Sequence, residues 1–203
     1  MRFLPLLSST QNPDLWISCS AVELTWDSEL HPGWLRSGIA IHALHLPSQP
    51  WSEGLVITAI EALRPRLGAD FLVIPAEAPR DRTATFQFLG ALEPLLEALA
   101  GRSVKIALRP SAGSAAALVK VLKEVRCDAV GYCWDQSVGG DLDAISDRLF
   151  CAVGSPDADY AALQRLGYRW NVGIPATDLT EASQTIAHLE ATHPMIYFPQ
   201  VTP

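Results

Sequence analysis

The chain has 203 residues, 49% of them hydrophobic and 18% charged, with fifteen basic against twenty-two acidic side chains and a formal net charge of -7. This length and composition suit one globular domain over residues 1–203 with a sizeable core, and they exclude extended disorder. The negative field disfavours nucleic acid and anionic membranes as partners. No apolar run reaches the ~20 residues of a membrane-spanning helix, and the stretch opening at Met1 is too short for a secretory signal, so a cytoplasmic protein is expected. Cys19, Cys127, Cys133 and Cys151 show no C-x-x-C spacing, which points to small buried hydrophobes rather than zinc or a disulfide framework.

Short β-rich runs alternate with stretches at helical spacing, as in βα units around a parallel sheet. The first run is Arg2–Ser8, followed after a short connection (Asn12 to Ser18) by Ser20–Trp26, and after another (Asp27 to Ser37) by Ile39–His45. Each connection has room for a turn or two of helix. A helix is predicted over Glu53–Leu67, a fourth strand over Ala69–Pro75, a helix over Thr83–Ala100 and a fifth strand over Ser103–Arg109. Then come a helix over Ser114–Val125, strand Ala129–Asp135, strand Leu149–Ser155, helix Tyr160–Leu166, strand Tyr168–Ile174 and helix Thr180–Ala191. The helices end at Gly, Arg or polar turns. The tail His193–Pro203 carries four apolar residues that favour packing back on the body. Eight units in series predict a compact (β/α)8 barrel with shortened first connections, the open doubly wound sheet being the alternative.

Alternation along a strand separates the two sides of such a barrel. Val104, Ile106 and Leu108 oppose Lys105, Ala107 and Arg109; Val130, Tyr132 and Trp134 oppose Gly131, Cys133 and Asp135; Val22 and Leu24 oppose Glu23 and Thr25; Tyr168, Trp170 and Val172 oppose Arg169, Asn171 and Gly173. The smaller or polar sets are expected in the lumen. Glu23, Lys105, Arg109, Asp135, Arg169 and Asn171 would then surround one axis, with Arg109 and Asp135 at the C-terminal rim, where barrels place chemistry.

The segments Ala21-Val-Glu-Leu-Thr, Leu67-Gly-Ala-Asp-Phe-Leu-Val-Ile, Val104-Lys-Ile-Ala-Leu-Arg-Pro, Val130-Gly-Tyr-Cys-Trp-Asp, Leu149-Phe-Cys-Ala-Val-Gly-Ser-Pro-Asp and Leu166-Gly-Tyr follow in an order that resembles the xylose isomerase-like barrel superfamily of sugar isomerases and epimerases. The resemblance implies a divalent metal held by a Glu ending strand five, an Asp ending strand six, a His near strand seven and a Glu ending strand eight. In this sequence those places hold Arg109, Asp135, Gly154, and Gly173 or Pro175, and a histidine implied three residues after Asp135 is Val138. One carboxylate is too few ligands for such an ion. No cofactor is therefore expected, with Mn or Mg as the alternative.

Arg109 can either pair with Asp135 or capture an acidic ligand through its guanidinium fork. Asp135 can serve as general base only where burial raises its pKa and Arg109 does not lower it. His42 and His45 stand on opposite parities, so one of them faces the lumen, and His45 is the proton-transfer candidate. Glu77 is a third catalytic candidate, or part of a solvated loop with Arg80, Asp81 and Arg82. Glu23, Trp26 and Asn171 join Arg109 as substrate-binding candidates. Trp51 and Trp26 offer ring faces suited to sugar C–H surfaces, while Trp134, on the outward parity, reads as packing. Helices opened by Ser155-Pro-Asp157 and by residues 177–180 carry acidic or hydroxyl caps that compete with a phosphate. Gly139-Gly140-Asp141 reads as a turn or a lid. Two functions follow. One is a sugar or sugar-phosphate isomerase/epimerase working without the metal. The other is a non-catalytic barrel binding a carbohydrate or acidic metabolite. Self-association is left open.

Overall fold

The computed structural model describes residues 1–47, 54, 57, 58, 61, 71–100, 104–125 and 127–194. Within them eight parallel strands form a closed barrel: β1 (Arg2–Ser8), β2 (Ala21–Thr25), β3 (Ala40–His45), β4 (Phe71–Ala76), β5 (Lys105–Pro110), β6 (Val130–Asp135), β7 (Leu149–Val153) and β8 (Asn171–Pro175). Each strand pairs with the next, and β1 closes the ring on β8 in the register Arg2↔Asn171 to Leu6↔Pro175. The barrel is thus formed and not the open sheet. The eighth strand starts three residues later than expected. Tyr168 turns the chain there, donating its backbone N–H to Leu163 and its hydroxyl to the Asn171 carbonyl.

Four helices whose full extent falls among the described residues lie outside: α1 (Arg82–Ala98), α2 (Ala115–Glu124), α3 (Ala161–Arg165) and α4 (Leu179–Thr192). Asp81 starts α1 by accepting from the Ala84 N–H at 2.8 Å, and Asp178 starts α4 by accepting from Glu181 at 2.9 Å. Each side chain satisfies a donor the first turn leaves free. Arg148 closes the other end of α2, donating to the carbonyls of Leu122 and Val125. Gly54, Ile57, Thr58 and Glu61 are helical, within the span predicted as Glu53–Leu67. The rest of that helix, Trp51 and the tail from residue 195 lie outside the described residues. No helix among the described residues is long and apolar enough to cross a membrane.

Where the first two helices would pack, the chain makes only 3-10 turns, Pro13–Trp16 and Pro32–Leu35. Trp16 and Trp34, both almost fully buried, join the same buried cluster as Phe3, Leu7, Val22, Leu24 and Ile41 of β1 to β3. Two large rings replace the apolar face of two helices, which is how a short chain still closes its shell.

The buried residues fall into two groups. Phe3, Leu7, Val22, Leu24, Ile41 and Leu44 belong to the shell between sheet and outer layer, while Leu6, Ala43, Phe71, Val73, Ala107, Cys133, Phe150, Cys151 and Val153 form the lumen. The expected parity holds for β5 and β6. At the N-terminal end, however, the lumen is aromatic. Phe71 and Phe150 stack with centroids 5.7 Å apart, the Lys105 ammonium lies 4.9 Å from the Phe150 ring centre, and Trp170 meets Phe71 edge-on at 5.3 Å. Gly131 makes this possible, because a Cβ there would stand 2.5 Å from the Phe150 ring. A barrel interior must be filled, and at this end aromatic rings fill it. The four cysteines are free thiols.

Candidate functional site

Three inward side chains sit at or next to the C-terminal ends of their strands: His45 ends β3, Arg109 precedes the last residue of β5 and Asp135 ends β6. Glu23 projects from the middle of β2, in register with Ala43 of the lumen.

Arg109 donates to Asp135 Oδ2 from Nε at 2.7 Å, and a terminal nitrogen of the same guanidinium stands 2.6 Å from that oxygen as an ion pair. Asp135 Oδ1 accepts from the Ser137 N–H at 2.9 Å and from its hydroxyl at 2.6 Å. Burial alone would raise the Asp135 pKa, but the Ser137 hydrogen bonds and the Arg109 charge outweigh it and hold the group below the ordinary carboxylate range. The condition set for Asp135 as general base, burial raising its pKa without Arg109 lowering it, is thus not met, and a carboxylate held in its charged form is a weak proton acceptor. Arg109 remains 34% exposed, so the guanidinium that neutralises Asp135 also faces the mouth.

Glu23 and His45 form the second pair. Glu23 Oε2 lies 2.8 Å from His45 Nε2, and both side chains are 1% exposed. The carboxylate reaches past β1 toward β8, where Gly173 gives it room, because a Cβ on residue 173 would be 2.5 Å from Oε2. Glu23 therefore contacts His45 in the apolar lumen rather than an open cleft. His45 Nδ1 is buried and has no hydrogen-bond partner among the described residues.

The other candidates are dispersed. Asn171 is the first residue of β8 and Arg169 precedes it, so both belong to the N-terminal mouth, opposite Arg109. The late start of β8 sets them at that height along the axis. Lys105, first in β5, lies at that same end. Trp26 is buried in the shell at 2% exposure, its ring taken up by packing instead of an open face. Trp134 packs edge-on against Tyr160, with centroids 6.4 Å apart. Glu77 is exposed on the loop after β4. Gly139 and Gly140 both have positive φ, and the Gly139 N–H donates to the Asp135 carbonyl, which makes this segment a turn tied to the strand end.

Three features escaped the sequence reading. Ser137 is one, although an Asp followed two residues later by Ser is the pattern of a side-chain-capped turn. The others are the space Gly173 leaves for Glu23, and Tyr160. The Tyr160 hydroxyl donates to the Ser155 carbonyl at 2.7 Å and occupies the position that a side chain on residue 154 would need.

The residues at the implied metal corners do not fit a divalent ion. Arg109 already occupies Asp135, Gly154 is closed off by Tyr160, and Gly173 by Glu23. Among the described residues, no three His, Cys, Asp or Glu side chains gather closely enough to hold one.

A closed barrel of eight parallel strands in sequence order is a TIM barrel. It is similar to the crystal structure of a xylose isomerase domain protein from Planctomyces limnophilus, with a TM-score of 0.66, 11% identity and 94% of each chain covered. It is also similar to a putative uncharacterized protein from Parabacteroides distasonis, with a TM-score of 0.64, 15% identity, and 93% of this chain and 99% of that one covered. No family model and no curated protein matches the sequence. At such identities the likeness is one of fold, and fold alone does not fix a reaction.

Proposed function

We propose that the chain is a sugar or sugar-phosphate isomerase/epimerase-like protein that works without a divalent metal. The observation behind this reading is a partly exposed guanidinium, Arg109, on the same end of one lumen as an imidazole, His45. An isomerase needs a base to take the proton beside a carbonyl, a positive group to stabilise the charge that develops on the oxygen, and return of the proton to the neighbouring carbon. His45 is assigned the proton and Arg109 the oxygen or an acidic group of the substrate. Asp135 holds Arg109 in place. The test is incubation with aldoses, ketoses and their phosphates in deuterated water. Deuterium at the carbon beside the carbonyl supports the reading, and silence across the panel ends it.

A second reading is a non-catalytic barrel that binds a carbohydrate or acidic metabolite. It is favoured by the 1% exposure of Glu23 and His45 and by the three hydrogen bonds and the ion pair already made to the Asp135 carboxylate. Thermal stabilisation by a metabolite that shows no deuterium uptake would select it.

A further inference from the structure

We infer that Glu23 is a positioning residue for His45, fixing the imidazole with its proton on Nε2 and leaving Nδ1 as a buried acceptor for a ligand or water O–H. This rests on the reading of His45 as the proton-transfer group.

A carboxylate without a proton can only accept hydrogen bonds, so with Glu23 as the acceptor the 2.8 Å contact places a proton on His45 Nε2. The contact is well insulated. Both side chains are 1% exposed, and the lumen around them is built of Leu6, Ala43, Val73 and Val153. In such surroundings a hydrogen bond to a charge is strong and directional. Gly173 completes the arrangement, since any side chain there would displace the Glu23 carboxylate. His45 Nδ1, by contrast, is buried without a partner among the described residues. Buried polar atoms are nearly always paired, so an orphaned one marks a place where a water or a ligand group belongs. A carboxylate on one ring nitrogen setting the chemistry of the other is a general way to orient histidine.

The test reads the two imidazole nitrogens of His45 by long-range ¹H–¹⁵N NMR near neutral pH, with His45→Gln used to assign the signals. The expected result in the wild-type protein is a protonated Nε2 and an unprotonated Nδ1. Glu23→Gln, which keeps the shape and removes the charge, is expected to mix or invert the two tautomers while the melting curve stays cooperative. A wild-type His45 carrying its proton on Nδ1, or on both nitrogens, overturns the inference, and that measurement does not depend on the variant folding. The two ideas fail separately. The expected tautomer with no deuterium uptake by any sugar removes the isomerase reading and keeps the positioning role, whereas uptake with the wrong tautomer does the reverse. If both stand, Glu23→Gln lowers the exchange rate tenfold or more, the range seen when a residue that orients an active group is removed. A rate unchanged in that variant counts against the inference.

Discussion

The Glu23 carboxylate and the missing side chain of Gly173 occupy the same space, with Oε2 2.5 Å from where a β-carbon on residue 173 would stand. A methyl group there must push the carboxylate off its line to His45. Gly173→Ala is expected to cost about 1–3 kcal/mol, the usual penalty for overpacking a filled interior. Denaturant unfolding measures it, and a stability equal to wild type would mean that the lumen has slack at this point.

The Arg109–Asp135 pair predicts an acid-sensitive component of stability. The native Asp135 pKa lies below its unfolded value, so the pair contributes fully above the ordinary carboxylate range and its contribution is lost as pH falls through the depressed native value. Asp135→Asn should flatten the acid limb of the stability–pH curve. Arg109→Ala should cost about 1–3 kcal/mol near neutral pH, because Asp135 keeps its bonds to Ser137 and loses its counter-charge.

Tyr132 predicts the alkaline limb. Burial, then the neighbouring Cys133 and Asp135, push its phenol up to about 12. The neutral form is thus favoured in the fold, and this stability is present below the unfolded tyrosine pKa and lost as pH rises toward about 12. Its hydroxyl also has no partner among the described residues. Tyr132→Phe is therefore expected to leave stability at neutral pH equal or higher, and to weaken alkaline unfolding. A large loss at neutral pH would show that the hydroxyl has a partner after all.

Arg148 is expected to act on one helix end. It donates to the carbonyls of Leu122 and Val125, at the point where α2 runs out of N–H donors. Arg148→Ala should lower stability by about 1–3 kcal/mol, and hydrogen exchange should show faster fraying in the last turn of α2 than elsewhere.

The barrel was legible because each strand announces itself by a β-rich run and each helix by its period, and the eight runs survive as eight strands. The Arg109–Asp135 pair was legible too, since both residues close consecutive strands on the inward parity. Glu23 was marked as inward and His45 as the proton-transfer candidate, yet their pairing was missed, because it depends on how far a side chain two residues below the rim can reach. That reach is set by a glycine on β8, remote in sequence. The height of Asn171 and Arg169 along the axis was not legible for a similar reason. Parity tells which way a residue points, but the height along the axis depends on where the strand begins, and Tyr168 delays β8. The aromatic floor was hidden because room for Phe150 comes from a missing side chain on its neighbour, Gly131.

The most direct measurement of the central claim is deuterium uptake by a sugar or sugar phosphate in protein stripped with a chelator. The account predicts uptake that the chelator does not reduce, and a loss of tenfold or more in Arg109→Ala and in His45→Gln. Uptake that appears only when Mn²⁺ or Mg²⁺ is restored would contradict it.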